Sequence, residues 1–216
     1  MEVLVTGANR GIGAALRAAF QARGDTVWAT RRDAGDAAGW FHLDVADPAS
    51  VAALAASLAG RPLDLLVCNA GVYLDRDDWL AEGYPAAAWA ETFAVNVTGV
   101  FLTIQALLPN LRAARGRIAI IGSRMGSDAR APGGSYIYRA SKAAVLNLGR
   151  NLAADLRPDG IALGVYHPGW VTTEIGGPGA QIAPDASARD LLRRFDALSL
   201  TTSGCFESHD GTPIPF

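Results

Sequence analysis

A single lysine, Lys142, stands among 19 basic residues, and only two cysteines, Cys68 and Cys205, occur in the 216 residues. Two thiols cannot build a disulfide scaffold, and Cys68 lies in an apolar run where a buried thiol is the usual occupant; a reducing compartment is therefore expected. No run of 18 uninterrupted apolar residues appears, and MEVLVTGANRG reaches glycine-rich sequence without a basic and then apolar leader. The expectation is a cytoplasmic, soluble protein with no membrane partner. Charge is scarce too: 19% of residues are charged and the formal net charge is -2, which offers no overall attraction to nucleic acid. Repeats, low-complexity tracts and Ser/Gly linkers are missing, and so is GxxxxGK[ST], which leaves no argument for an ATPase.

What is present is a core-forming chain: 50% of residues are hydrophobic, and 24 glycines with 11 prolines interrupt it often. EVLVT (2–6) reads as a strand, GANRGIG as a turn and AALRAAFQARG as a helix stopped at Gly24. TVWATR is a second strand and HLDV (42–45) the end of a third. Pro48 to Leu58 is a helix, and LDLLVCNAG (63–71) contains a fourth strand. A helical pattern runs from about Pro85 to Leu111 with a bend near its start, followed by a strand in RIAIIGS (117–123) and a loop over 124–135. Tyr136 to Leu156 is a periodic, alanine-rich helix, IALGVYHPG (161–169) holds a sixth strand, 185–198 a short helix, and Gly204–Ser208 a last strand. Apolar strands alternating with helices predict one α/β domain over 1–216: a doubly wound Rossmann fold whose sheet of about seven strands is mostly or wholly parallel.

Gly7, Gly11 and Gly13 fall between the first strand and the helix it feeds, where missing Cβ atoms let a diphosphate approach the helix N-terminus. A turn used only for packing, or a phosphate loop of another nucleotide class, would also use glycines, so the context carries the assignment. The end of the second strand should meet the adenosine ribose, and there VWATRRD places Arg31 and Arg32 ahead of Asp33. Arginine forks suit a 2'-phosphate, and with Arg10 in the glycine turn they favour NADP(H) over NAD(H). Solvated arginines neutralised by Asp33 or Asp36 are the competing explanation. Asp44, in the LDV that ends at Val45, is placed to hold the adenine amino group, and Asn69-Ala70-Gly71 to pass the ribose.

Tyr138 and Lys142 are four apart in a helical pattern and share a face. An ammonium near a phenol favours its ionised form, which would allow proton exchange with a carbonyl or alcohol oxygen near neutral pH. Many helices contain such a pair by chance. Ser123, at the end of the fifth strand, adds a hydroxyl at the edge where parallel sheets bind ligands.

Taken together, TGANRGIG (6–13), LDV (43–45), NAG (69–71), Asn96 in FAVNVTGVF, Ser123, YRASK (138–142) and PGWVTT (168–173) resemble the short-chain dehydrogenase/reductase family over nearly the whole chain. IGSRMGS, YRASKAAVLN, HPGWVTT and the short tail are similar to its branch of C-factor-like proteins and sniffer-like small carbonyl reductases. The resemblance implies Tyr138 as general acid, Lys142 as the group that lowers its pKa and binds the nicotinamide ribose, and Ser123 as the group that orients the carbonyl. It implies that Asn96 bends the helix and links Lys142 to a proton-relay water. Thr6, Asn9 and Ile12 would belong to the phosphate loop, while Pro168, Gly169, Val171 and Thr173 would hold the carboxamide and approach the phosphates. No metal is implied.

The serine-to-tyrosine spacing usual in the family reaches Tyr136, but Tyr136 is off the face of Lys142, so it is read as a substrate-pocket wall or a packing residue. Cys68 stands where relatives often have a further asparagine, and Gly122 where a serine is common; neither removes a proton-transfer group. His167 reads more readily as a hydrogen-bonded structural histidine than as a titrating cleft group. Glu207, His209 and Asp210 have no spacing that would converge them on a metal. TEIGGPGAQIAP, a short glycine-rich segment, implies a small or open pocket walled by Tyr73, Met125, Tyr136, Trp170 and Trp79, suited to a modest apolar aldehyde, ketone or quinone. The expected function is an NADPH-dependent carbonyl reductase. A cofactor-binding regulatory or signalling protein and an NAD-dependent alcohol dehydrogenase are the alternatives, and a homodimer pairing the two long helices is the expected assembly.

Overall fold

In a computed structural model of the chain, which describes residues 1–33, 37–177 and 179–216, seven strands form one sheet in the order β3-β2-β1-β4-β5-β6-β7. They are β1 (Glu2–Val5), β2 (Thr26–Arg31), β3 (Trp40–His42), β4 (Leu65–Cys68), β5 (Arg117–Ile121), β6 (Ala162–His167) and β7 (Phe206–Ser208). Every pairing is parallel. A parallel ladder requires a crossover between neighbours, and the crossovers supply helices to both faces, so the central strands are buried on both sides. Leu65 to Cys68 and Ala162 to His167 are buried throughout, which is why these strands read as continuous apolar runs.

On one face lie α1 (Gly11–Ala22) and α7 (Pro184–Ala197), where Leu16, Phe20, Leu191 and Phe195 meet Val3, Val5 and Val67. The opposite face carries α2 (Pro48–Ser57) and the helices between β4 and β6, which enclose Leu4, Leu66, Ile104, Ile118 and Val145. Asp47 starts α2 by accepting the Ala49 N–H at 2.9 Å, and Pro48, lacking an N–H, follows it. The third strand ends at His42, so Leu43–Val45 are connection and not strand.

The long helix expected over 85–111 is broken in its middle, not near its start. It consists of α3 (Ala86–Phe93), a π-helical turn (Ala94–Thr98), α4 (Gly99–Ala106) and α5 (Leu108–Ala114). Asn96 stands in the π-helical turn, and Pro109 follows the second break. By length and apolar composition Ala86–Ala106 could cross a membrane, yet Thr92, Asn96 and Thr103 are buried where it packs on β4 and α6 (Tyr136–Asp155). This arrangement brings α6 alongside β5 and β6, with its first turn over the strand ends.

Candidate active site

At the carboxyl ends of β1, β4, β5 and β6 the sheet opens into a cleft of about 1350 Å³. That exceeds the roughly 300–1,000 Å³ of ordinary small-ligand pockets and leaves room for two ligands side by side. One wall is the glycine turn. Gly7 and Gly11 have φ of 63° and 54°, and a Cβ on Gly13 would stand 2.3 Å from the Gly7 carbonyl oxygen. No side chain caps α1, so the N–H groups of its first turn are left for a ligand. Gly7, Asn9, Arg10, Gly11, Ile12 and Gly13 all line the cleft, an arrangement that fits a diphosphate.

Thr6 does not line it. Its hydroxyl accepts the N–H groups of Asn69 at 2.9 Å and Ala70 at 3.0 Å, and Asn69 Nδ2 donates back to the carbonyls of Thr6 and Gly7. Thr6 thus ties the turn after β1 to the turn after β4, and Asn69, Ala70 and Gly71 present their outer side to the cleft. At the adenosine end, Asp44, Val45 and Arg31 face the cavity. Arg31 lies 4.7 Å over the Trp40 ring and 3.8 Å from the Asp33 carboxylate. Asp36, its other possible neutraliser, lies outside the described residues. Arg10 reaches across the mouth to an ion pair with Glu174.

The chemical end is assembled from β5 and α6. Ser123 follows β5 and its Oγ accepts the Met125 N–H at 3.1 Å, which leaves its own proton free to donate. Tyr138 and Lys142 lie within the first two turns of α6 and are buried, both lining the cleft. Burial pushes the Tyr138 phenol up to about 12, partly offset by the neighbouring Ser123 hydroxyl. Burial likewise pushes the Lys142 amine down to about 8, and its Nζ donates to the Ile121 carbonyl at 3.0 Å. Lys142 Nζ sits 5.6 Å from the Tyr138 ring centre, and burial is the largest influence on the phenol.

Asn96 is fully enclosed and does not face the cleft. Its Nδ2 donates to the Val72 carbonyl and Ser141 Oγ, and its Oδ1 accepts the Val72 N–H, so it clamps the strand-end turn to α6. Pro168, Gly169, Val171 and Thr173 line the opposite wall, with the Thr173 methyl 3.2 Å from where a Gly11 Cβ would be. Tyr73, Met125 and Trp170 line the cleft. Tyr136 does not: it is exposed and packs edge-on against Tyr84 at 5.3 Å, because two residues along a helix turn its side chain away from that of Tyr138. Trp79 is 70% exposed and also outside the lining. His167 lines the cleft, and its Nδ1 has no hydrogen-bond partner, contrary to the structural role expected of it. Glu207, His209 and Asp210 do not converge: the first lies 3.5 Å from Arg194 and the second 2.8 Å from Asp190. No metal-binding group occurs among the described residues.

Sequence reading missed Asp75. Its side chain is wholly buried, and its carboxylate accepts the N–H of Ile137 at 2.7 Å and of Tyr138 at 3.1 Å. Ser135 occupies the N-cap position in a left-handed conformation, φ 48°, and supplies no cap. Asp75 caps α6 from a segment 62 residues away. Tyr73, two residues earlier, stacks on Tyr138 at 4.2 Å and hydrogen-bonds Ser135. No motif marks it: in sequence it is one of three aspartates between Tyr73 and Gly83.

The chain is similar to known proteins in sequence and in fold. The C-signal protein of Myxococcus xanthus is 41% identical over 167 residues, spanning 76% of this chain and 99% of the relative. The NADPH-bound carbonyl reductase from chicken fatty liver superposes with a TM-score of 0.89 at 31% identity, covering 100% of this chain and 98% of that one. Carbonyl reductase Sniffer of D. melanogaster gives 0.90 at 25% identity, covering 100% and 99%. The family model described as short chain dehydrogenase matches residues 2–181, and with the glycine turn and the Ser123, Tyr138 and Lys142 set in one cleft, the chain belongs to the short-chain dehydrogenase family.

Proposed function

We propose that the protein is an NADP(H)-dependent oxidoreductase that reduces small carbonyl compounds to alcohols. One observation carries the reading: Ser123, Tyr138 and Lys142 face the same cleft as the uncapped N-terminus of α1. NADPH, when bound, supplies the hydride. The α1 N-terminus and glycine turn take its diphosphate, and Arg31 with Arg10 takes the 2'-phosphate. The Arg10 to Glu174 pair is exposed on both sides, 64% and 70%, so releasing Arg10 to a phosphate costs about 1 kcal/mol or less.

At the reacting end Ser123 donates its free proton to the substrate oxygen and fixes the carbonyl. Tyr138, protonated throughout the neutral range because burial holds it near 12, gives its proton to that oxygen as negative charge develops there. Lys142 keeps two N–H donors beyond the one used on Ile121, which suits it to ribose hydroxyls. Asn96 holds the Val72 turn and α6 at a fixed separation around these groups. The protein is further read as a cytoplasmic homodimer, since Trp89, 36% exposed and stacked on Phe93, gives the α3 side of the molecule an apolar face for a partner.

NADPH consumption against small aldehydes, ketones and quinones tests the reading. Tyr138→Phe should lower kcat/KM at least about a hundredfold, and Arg31→Ala should shift preference from NADPH toward NADH. Equal rates in parent and Tyr138→Phe would overturn the assignment. A second reading, cofactor occupancy as a signal, draws on the likeness to C-signal. Tight NADPH binding with no turnover in either protein would select it.

A further inference from the structure

Beside the main cleft lies a second recess of about 410 Å³, lined in part by the C-terminal segment from Ser208 to Pro215. Arg124, Arg130, His167, Gly169 and Trp170 line both cavities, so the recess is a continuation of the cleft. Arg124 directly follows Ser123, which places the junction beside the reacting end.

The polar groups here are unusually uncommitted. His167 is 8% exposed at the end of β6, and its Nδ1 has no partner. Arg124 and Arg130 have no carboxylate within ion-pair distance among the described residues. Of the remaining charges in the lining, His209 pairs with Asp190 at 2.8 Å, and Asp210, whose carboxylate accepts the Thr212 N–H at 3.0 Å, is the one anion set against the two arginines. Burial, with Arg124, His209 and Arg130 adding their fields, pushes His167 down to about 4, so it stays neutral and offers one ring N–H without a competing positive charge of its own. Ile182 and Ile214 supply the apolar part of the walls.

Two unpaired guanidinium groups are what a carboxylate needs, since each arginine fork matches its two oxygens. The cofactor's 2'-phosphate is not the occupant. Arg31 ends β2 and His167 ends β6, four strand steps apart, or about 19 Å across the sheet. We propose that the recess is a subsite for a carboxylate carried by the substrate, and that the substrates are oxo acids whose carbonyl lies at Ser123 and Tyr138 while the acid end is held by Arg124 and Arg130. The inference rests on the carbonyl-reductase reading and adds a charged end to the apolar substrate expected from sequence.

Matched substrates test it: 4-formylbenzoate against methyl 4-formylbenzoate, with NADPH, in the parent and in Arg124→Gln/Arg130→Gln. Both arginines are exposed, so the double variant should fold. The parent should prefer the acid at least tenfold in kcat/KM, and the variant should lose at least tenfold of that ratio, the scale of a charge-assisted hydrogen bond. Binding of benzoate to each protein, followed by calorimetry, gives a readout without turnover: binding in the parent and at least tenfold weaker binding in the variant support the subsite. Turnover of both aldehydes with no preference for the acid, or a ratio unchanged in the variant, overturns the subsite and leaves the carbonyl-reductase reading standing. Benzoate binding that depends on the arginines, with no turnover of either aldehyde, supports the anion site and overturns the reductase reading.

Discussion

Removing the Asp75 carboxylate should loosen the first turn of α6, and with it the proton donor. Two N–H groups, those of Ile137 and Tyr138, depend on this side chain in a setting closed to water. Leaving each unsatisfied costs about 1–3 kcal/mol, and losing a negative charge at a helix N-terminus adds about 0.3–2 kcal/mol. For Asp75→Ala the expected loss is about 3–5 kcal/mol, with repacking of the space absorbing part of the upper range. At roughly 2–4 °C per kcal/mol for a chain of this size, the melting temperature should fall by about 6–20 °C. Asp75→Asn keeps one accepting oxygen and should lose about half as much. Because Tyr138 itself contributes one of the two N–H groups, kcat should fall at least tenfold in Asp75→Ala at a temperature where the protein remains folded, while KM for NADPH, set mainly by the glycine turn and Arg31 away from the first turn of α6, changes by less. Thermal denaturation and steady-state kinetics on both variants measure this. A melting temperature within 2 °C of the parent, or a kcat unchanged in the folded fraction, would refute the role of Asp75 in positioning Tyr138.

Two further outcomes follow from the same site. Lys142 titrates near 8 when folded and near 10.5 when unfolded, so between those values the unfolded chain binds more protons and stability rises with pH, by about 3 kcal/mol in all. Tyr138 acts oppositely: raised from 10 to about 12, it contributes stability that is present below pH 10 and lost as pH climbs through 12. Urea denaturation of the cofactor-free protein at pH 7 to 10 should therefore show a rising limb that Lys142→Met lacks; identical pH slopes in the two proteins would contradict the burial argument. Gly126→Ala should destabilise by about 1–3 kcal/mol and depress activity, because the new Cβ would stand 2.5 Å from the Lys142 carbonyl carbon and 2.6 Å from its oxygen, backbone atoms that can move only with α6. Unchanged melting and kcat would show that α6 gives way freely.

Local pattern carried much of this protein's description. Apolar runs, glycine turns and helical periodicity are properties of a few consecutive residues, so the strands around Val3, Leu66, Ile118 and Val165 and the shared face of Tyr138 and Lys142 were readable from spacing alone. The one lysine of the chain was already distinguished by composition, and its position four residues after the tyrosine suggested its job. Direction and partnership were not readable. Whether Tyr136 or Trp79 turns into a pocket, whether Thr6 meets a ligand or braces two turns, and whether Lys142 can lower a phenol depend on groups tens of residues away. Asn96, in the π-helical turn, serves the Val72 turn and Ser141, contacts separated by 24 and 45 residues. Asp75 gained its meaning only when the chain returned 62 residues later to present two unsatisfied N–H groups to it. His167 became an uncommitted donor because the C-terminal segment folds beside β6 and brings no partner to it. Sequence determined the elements, their parallel order of crossovers and the residues able to do chemistry, since those follow from local sterics and periodicity. Tertiary packing decided which polar groups were satisfied, which were desolvated and which were left facing a cavity, because burial and hydrogen-bond pairing belong to the assembled surface and not to any stretch of chain.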